Sequence, residues 1–355
     1  MNYINLGQIA TITNGKRNAQ DATENGAYPL FDRSSVIKRS NKYLYDKEAI
    51  LVPGEGRTFI PKYYKGKFDL HQRCYAIFDL NQEYDVRFIY LYILWNQAYF
   101  QSVYTGSTVP SLRLGNFEKM PIPVYSLPDQ QKIAAELDTI QSAIDNKKQQ
   151  LSLLDEAVKS EFVEMFGDPI ANEKNWTKKT MIDVCPIKEY EFLPSENEWI
   201  LNLDMIESNT GTILEKVISP LAEIGNSTIK FSQNHVLYSK LRPYLNKVAL
   251  PDSYGFATSE LIPFLPGKEI NKIYFATFLR SEPFVELINS KSGGAKMPRA
   301  SMDFLRKFEI PVPPIDLQND FATFVQQIDK SKFIVKQQIA DLQELLDSKM
   351  QEYFS

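Results

Sequence analysis

Three short stretches of the chain concentrate the residue types that engage polyanions. Arg57, Lys62, Lys65, Lys67 and Arg73 lie in RTFIPKYYKGKFDLHQR, where Tyr63, Tyr64 and Phe68 interleave with the cations. The stretch HVLYSKLRPYLNKVAL, from His235 to Leu250, carries Lys240, Arg242 and Lys247, and GGAKMPR, from Gly293 to Arg299, carries Lys296 and Arg299. Lysine and arginine neutralise phosphates along a nucleic acid backbone, whereas arginine, lysine, asparagine and glutamine read base edges in the grooves. Cations beside glycines on a loop can approach such a backbone closely, and the aromatic interleaving of the first stretch suits a strand–turn–strand laid on phosphates. An alternative reading has Arg242 and Tyr244 bracing the fold, and the first stretch forming a solvated hairpin over buried tyrosines. Arg33, Lys38, Arg39 and Lys42 make a looser basic group, read as surface.

Other chemistries lack their residues. Two histidines, His71 and His235, are too few for most histidine-based nucleophilic or metal chemistry. Cys74 and Cys185 stand in no metal-spaced cluster and read as reduced, buried thiols. No GxxxxGK[ST] loop is present, and Pro53-Gly54-Glu55-Gly56-Arg57 lacks the third glycine and following helix of a dinucleotide-binding turn. Val312-Pro313-Pro314-Ile315 lacks the amide and aromatic with which a DNA amino-methyltransferase holds a flipped base. These absences predict a binding protein with no catalytic residues, no metal and no cofactor.

The elements that position the cations follow from an internal repeat. KMPIPVYSLPDQQKIAAELD begins at Lys119 and KFEIPVPPIDLQNDFATFVQ at Lys307, 188 residues later. The same offset pairs Gly106 with Gly294, Pro110 with Pro298, Gln130 with Gln318, and Phe166 with Phe354. A repeat of this length is one supersecondary unit used twice. After each proline-rich stretch, apolar residues recur at steps of four and three. The first seam is Ile133, Leu137, Ile140, Ile144, Leu151, Leu154 and Val158; the second is Phe321, Val325, Ile328, Val335, Ile339, Leu342 and Leu346. That spacing predicts two coiled-coil helices of about 50 Å that pack on each other within the chain. Lys147, Glu161, Lys332 and Lys349 interrupt the seams. Asp129 and Asp316 are expected as helix caps, and Gly167 with Pro169 as the stop of the first helix.

The remaining segments hold short β-branched and aromatic runs punctuated by glycine, proline, asparagine and aspartate, each with one helical stretch, Arg87–Ser102 and Lys272–Ser290. The expected fold class is therefore α+β, with an irregular, mostly antiparallel sheet in each globule. Its plan is globule 1–128, helix 129–166, globule 167–315 and helix 316–355. The net charge of −4 is unevenly spread: residues 1–125 hold 15 Lys/Arg against 11 Asp/Glu, and residues 126–166 hold 4 against 8. The acid gathers on the helices, where Glu136, Asp155, Glu156, Glu161 and Glu164 are expected on outer faces, turned to protein partners or to solvent. With no apolar run near the roughly 18 residues of a membrane span, a cytoplasmic location is expected.

On GGAKMPR followed by FEIPVPPIDLQ, on SKLRPYLNK, and on the weaker first copy TGSTVPS followed by MPIPVYSLPDQQKI, the sequence resembles the specificity subunit of type I restriction-modification systems over essentially its whole length. The first globule has no counterpart of SKLRPYLNK in sequence; VPGEGRTFIPK, Val52 to Lys62, stands in roughly that place. The resemblance implies two target-recognition globules that read the halves of a split double-stranded DNA target. It implies an antiparallel helix pair fixing the distance between those halves, two copies of an adenine-methylating modification subunit, and a restriction and translocation subunit. An interaction scaffold whose globules bind protein accounts equally well for the repeat and the helices.

Overall fold

A computed structural model of the 355-residue chain describes residues 2–294 and 296–355. The chain forms two compact units, Met1–Lys148 together with Gln337–Ser355, and Gln149–Lys336. Among the described residues no helix is long and apolar enough to cross a membrane.

The first unit is built on a six-stranded sheet. In spatial order its strands are Thr11–Asn14, Cys74–Phe78, Tyr45–Pro53, Lys62–Leu70, Tyr28–Phe31 and Lys38–Ser40, antiparallel except where Tyr28–Phe31 runs parallel to Lys62–Leu70. Alternation along the central strands sorts the apolar residues onto two faces. Ile50, Val52 and Ile77 pack under Phe88, Ile89, Tyr92 and Ile93 of the helix Val86–Trp95. Ala49, Leu51, Cys74 and Ala76 turn the other way, onto Phe31, Phe68 and Leu70. The single helix expected over Arg87–Ser102 is two, Val86–Trp95 and Gln97–Val103, because the backbone of Asn96 leaves the helical region (φ −85°, ψ 46°).

The second unit carries a four-stranded sheet in the order Val217–Pro220, Asn197–Leu201, Gly255–Thr258, Thr228–Phe231, and a three-stranded one in the order Val248–Ala249, Val236–Ser239, Leu261–Phe264. Its helices Lys272–Arg280 and Glu282–Ser290 divide at Ser281, where Pro283 takes the first turn of the second helix. The repeat survives in the element bounds. Leu114–Glu118 matches Met302–Lys307, the edge strand Pro121–Pro123 matches Glu309–Pro311, and Leu127–Phe166 matches Ile315–Phe354.

Those last two elements are the long helices, 40 residues each and so about 60 Å long. They begin slightly earlier than Asp129 and Asp316, which lie in the first turn instead of capping it. Ser126 takes the capping role in the first helix, its Oγ accepting from Asp129 N at 3.3 Å. Each unit contains an antiparallel helix pairing of its own. In the first, Ile133, Leu137, Ile140 and Ile144 pack with Leu346, Met350 and Phe354, and with half-buried Ile339 and Leu342. In the second, Phe162 and Phe166 pack on Phe321 at ring distances of 5.6 and 5.5 Å. Val325 and Val335 are buried, while Leu151, Leu154, Val158 and Ile328 are half-buried.

Two expectations about the helices are corrected. The seam ends run through Phe162, Phe166, Met350 and Phe354, because these large side chains also close the globular cores. Phe354 packs against Phe88, Tyr92 and Trp95 at 5.4–5.8 Å, a burial of the size that contributes about 2–3 kcal/mol. Two of the lysines read as interruptions, Lys349 and Lys332, are cross-helix partners of acids read as outward-facing. Lys349 pairs with Glu136 at 3.4 Å and Lys332 with Asp155 at 2.5 Å, and Tyr353 donates a further hydrogen bond to Glu136 at 2.7 Å. Glu156 and Glu164 remain exposed.

The repeated glutamine has a structural cause. Gln130 and Gln318 are both 0% exposed. Gln130 Oε1 accepts from Asp85 N at 2.9 Å while its Nε2 donates to the carbonyls of Glu83 and Tyr125. Gln318 Oε1 accepts from Asn271 N at 2.9 Å and its Nε2 donates to Glu269 O and Pro313 O. Asp85 and Asn271 are in turn the side-chain caps of Val86–Trp95 and Lys272–Arg280. One buried amide therefore ties the start of each long helix to the start of the globule's main helix.

Both histidines and both cysteines are buried and structural. His235 Nδ1 accepts from Ser232 N at 3.0 Å and its Nε2 bonds Lys188 O at 2.8 Å. Burial pushes the Cys74 thiol up to about 12, so it is protonated and unreactive at neutral pH.

Candidate nucleic-acid interface

At one end of each unit three chain segments meet in the same hydrogen-bonded frame. In the first unit the loop after the strand Tyr45–Pro53 is held by Gly54 N to Arg73 O (2.7 Å), Leu112 N to Gly54 O (2.8 Å) and Gly56 N to Pro110 O (3.0 Å). In the second, Lys240 N donates to Glu260 O (3.0 Å), Ala300 N to Lys240 O (2.8 Å) and Arg242 N to Pro298 O (2.7 Å). The third segment is a small hairpin in both, closed by paired bonds between Thr105 and Ser111, and between Gly293 and Arg299. Its turn needs a positive φ, which Gly106 (100°) and Gly294 (102°) supply. A Cβ at Gly106 would stand 2.6 Å from Val109 O. Ala295, within the second hairpin motif, lies outside the described residues.

The frame gives residue by residue the counterpart that the sequence of the first globule placed only roughly. Gly54, Glu55 and Gly56 occupy the places of Lys240, Leu241 and Arg242, so PGEGR, Pro53 to Arg57, is the structural equivalent of SKLRP, Ser239 to Pro243. Gly56 and Arg242 share a positive φ, 134° and 50°. For an arginine that left-handed backbone costs energy, and such conformations cluster where a side chain must be aimed. Arg242 Nε is moreover buried without a hydrogen-bond partner among the described residues.

Charged side chains crowd both frames. In the first unit Arg73 and Arg33 reach Glu55 at 3.0 and 3.2 Å. Beside them lies a polar cleft of about 220 Å³ lined by Asn14, Gln72, Arg73, Ser111 and Arg113 among others. In the second unit Arg299 reaches Glu260 at 3.0 Å. The hydrogen bond from Arg299, opposed by burial and helped by nearby Lys240, holds the Glu260 carboxyl below its usual range. The same hydrogen bond, with the nearby Glu260 charge, raises the Arg299 guanidinium above its ordinary value.

The expected contacts distribute as follows. Arg57, Arg73, Lys240, Arg242, Lys296 and Arg299 belong to the two frames, with Arg57 and Lys296 exposed. Lys62 stands close by, but its ammonium is spent on Ser34 O at 2.6 Å, as that of Lys247 is on Leu203 O at 2.6 Å. Lys65 and Lys67 lie further down the strand Lys62–Leu70, opposite Glu48 and Asp46. Lys65 pairs with Glu48 at 3.1 Å and Lys67 covers the Tyr43 ring at 4.9 Å. At about 3.3 Å per residue they sit about 10–17 Å from Lys62 along the strand. Tyr63 is half-buried and hydrogen-bonded to Glu48. Reasoning from sequence passed over Glu55, Glu260, Arg113 and the role of Arg33; the 188-residue match of the glycine and proline in the hairpins was the signal that could have led to them.

The sequence profile of the type I restriction modification DNA specificity domain matches residues 1–156 and 173–344. The chain belongs to this family. Two curated relatives are similar along it: the type I restriction enzyme EcoDI specificity subunit of Escherichia coli, 23% identical over 92% of this chain and 80% of its own length, and the MjaIX specificity subunit of Methanocaldococcus jannaschii, 22% identical over 73% and 66%. Among solved structures, the S subunit from M. genitalium superposes with a TM-score of 0.62 at 17% identity, covering 100% of this chain and 96% of its own. A chain from a structural study of assembly and conformational transition in a type I restriction-modification system gives 0.53 at 13%, covering 99% and 97%. Both share the fold of alternating sheet-rich domains and long helices. As a type I specificity protein the chain is a non-catalytic DNA-recognition subunit.

Proposed function

We propose that each unit reads one half of a split, asymmetric DNA target through its three-segment frame. The single observation that carries this reading is the frame itself: one main-chain arrangement, built twice, that presents different side chains in each unit. Segments 1–128 and 167–315 act as readers, and 129–166 with 316–355 as spacers that set the gap between half-sites. Each spacer is longer than the 34–36 Å separating successive major-groove faces. Arg57, Arg73, Arg242, Lys296 and Arg299 make the contacts, with Lys62, Lys65, Lys67, Lys240 and Lys247 adding positive potential around them. The duplicated unit presents equivalent surfaces to two copies of a methyltransferase subunit, one on each half-site, and a restriction subunit joins the same cytoplasmic assembly.

The charge chemistry sets a test. Binding of the assembled complex to its target falls steeply with salt, log K against log salt sloping by about −0.9 for each phosphate neutralised. Lys296→Ala shortens that slope by about 1 without changing which sequence is preferred, because an exposed lysine on a hairpin tip contacts phosphate only. Gel-shift titration from about 50 to 200 mM salt checks this. Affinity independent of salt contradicts DNA as the ligand of the frames.

A further inference from the structure

The two frames rebuild the same ion pair from different positions. Matching by main-chain hydrogen bonds puts Arg73 opposite Glu260 and Ser111 opposite Arg299. In the first unit the acid stands on the strand-end loop as Glu55 and the arginine on the neighbouring turn as Arg73. In the second the acid stands on that turn as Glu260 and the arginine on the hairpin as Arg299. An arginine–carboxylate contact of 3.0 Å survives in both although no residue of the pair is retained. The arginines are more than half exposed and the acids keep 18 and 26% of their side-chain surface exposed, so both groups of each pair reach the surface, the guanidinium more fully.

A free guanidinium at such a surface would bind any phosphate. One held by a carboxylate has its charge offset, fully where Arg299 meets Glu260 and in part where Arg73 and Arg33 share Glu55, and the acid repels the phosphodiester, which weakens sequence-independent contact. A G·C pair in the major groove is the complementary ligand: guanine O6 and N7 accept from arginine, and the cytosine N4 amine donates to a carboxylate within the same base pair. An A·T pair offers no such match, since its amine sits on the purine.

Resting on the DNA reading above, we propose that Glu55 and Glu260 are specificity-determining residues, each working with its arginine to select a G·C base pair in one half of the target. The carboxylates also hold Arg73, Arg33 and Arg299 away from backbone phosphates. The two halves are therefore read by the same chemistry presented at different angles.

The experiment uses the complete chain assembled with its methyltransferase subunit. Wild type, Glu55→Gln and Glu260→Gln are each selected against a random DNA pool, and their affinities for the selected site and for non-specific DNA are compared. The expected wild-type result is a fixed G·C position in each half. Glu55→Gln relaxes that position in one half only and Glu260→Gln in the other, each by about tenfold, in the range of one base contact. Non-specific affinity rises in both variants, with a steeper salt slope. A wild-type site without G·C in either half overturns the assignment, as does a variant that leaves discrimination unchanged or weakens every position equally. A wild-type complex that selects no DNA at all fails the DNA reading itself, which separates the two failures.

Discussion

Gln318→Ala is expected to remove about 3–5 kcal/mol of folding stability, a large share of the roughly 5–15 kcal/mol that holds a domain together. The amide makes three hydrogen bonds while fully buried, so truncation leaves Asn271 N, Glu269 O and Pro313 O unpaired where water has little access. Gln130→Ala does the same to Asp85 N, Glu83 O and Tyr125 O. Gln318→Met separates the causes, since it fills the space and makes no bonds; it retains at most about half of the lost stability. Denaturant unfolding checks both, and a loss under about 1 kcal/mol for either alanine variant contradicts the assignment of these glutamines as locks. Each lock joins the cap of the globule's main helix to the start of the spacer, so DNA discrimination falls with stability. In the first unit a second tie acts beside it. Arg87 is stacked on Tyr63 and Tyr90 at 5.0 and 4.6 Å and grips Asp138 on the long helix with bonds of 2.7–2.9 Å.

Lengthening both long helices by one heptad is expected to change the spacing of the recognised half-sites by about three base pairs, since seven residues add about 10.5 Å of helix and B-DNA rises about 3.4 Å per base pair. The insertion belongs after Lys148 in the first and after Lys336 in the second, where the chain divides into its two units. Seven residues keep the register that puts Ile133, Leu137 and Ile144 against Leu346 and Met350. Inserting three or four residues instead rotates one face of the seam away from its partner, and an insertion in one helix alone leaves its added turns unmatched. Selection of bound sequences by the extended complex reads the gap directly. An unchanged gap, with binding intact, excludes the helices as spacers.

The long helices were legible because their constraint is written locally. Steps of four and three in Ile133, Leu137, Ile140 and Ile144 follow from helix geometry alone, and both helices begin within two residues of the expected starts. Which side chains close each seam was less so, because Phe162, Phe166, Met350 and Phe354 answer to the globular cores as much as to the partner helix. The hairpin turns were legible too, in a glycine and a proline repeated at constant offset. The sequence placed VPGEGRTFIPK only roughly opposite SKLRPYLNK; the residue-by-residue match of PGEGR with SKLRP was hidden because main-chain hydrogen bonds define it, and those place no demand on side chains at Glu55 or Leu241. Candidate contacts chosen by charge alone mixed exposed arginines of the frames with lysines such as Lys62 and Lys247, whose ammonium groups already cap main-chain carbonyls. Cation counts carry no information about which carbonyl or carboxylate a side chain will meet in the fold. The acids Glu136 and Asp155 were misplaced for the same reason, their partners Lys349 and Lys332 lying 213 and 177 residues away.

The measurement that bears most directly on two readers joined by a spacer is selection from a random-sequence DNA pool by the chain co-assembled with its methyltransferase subunit, followed by sequencing of the bound fraction. Two short, different motifs separated by a fixed run of unspecified bases are the predicted result. Recovery of one contiguous motif would contradict the account, because it would leave one of the two frames without a role in reading DNA.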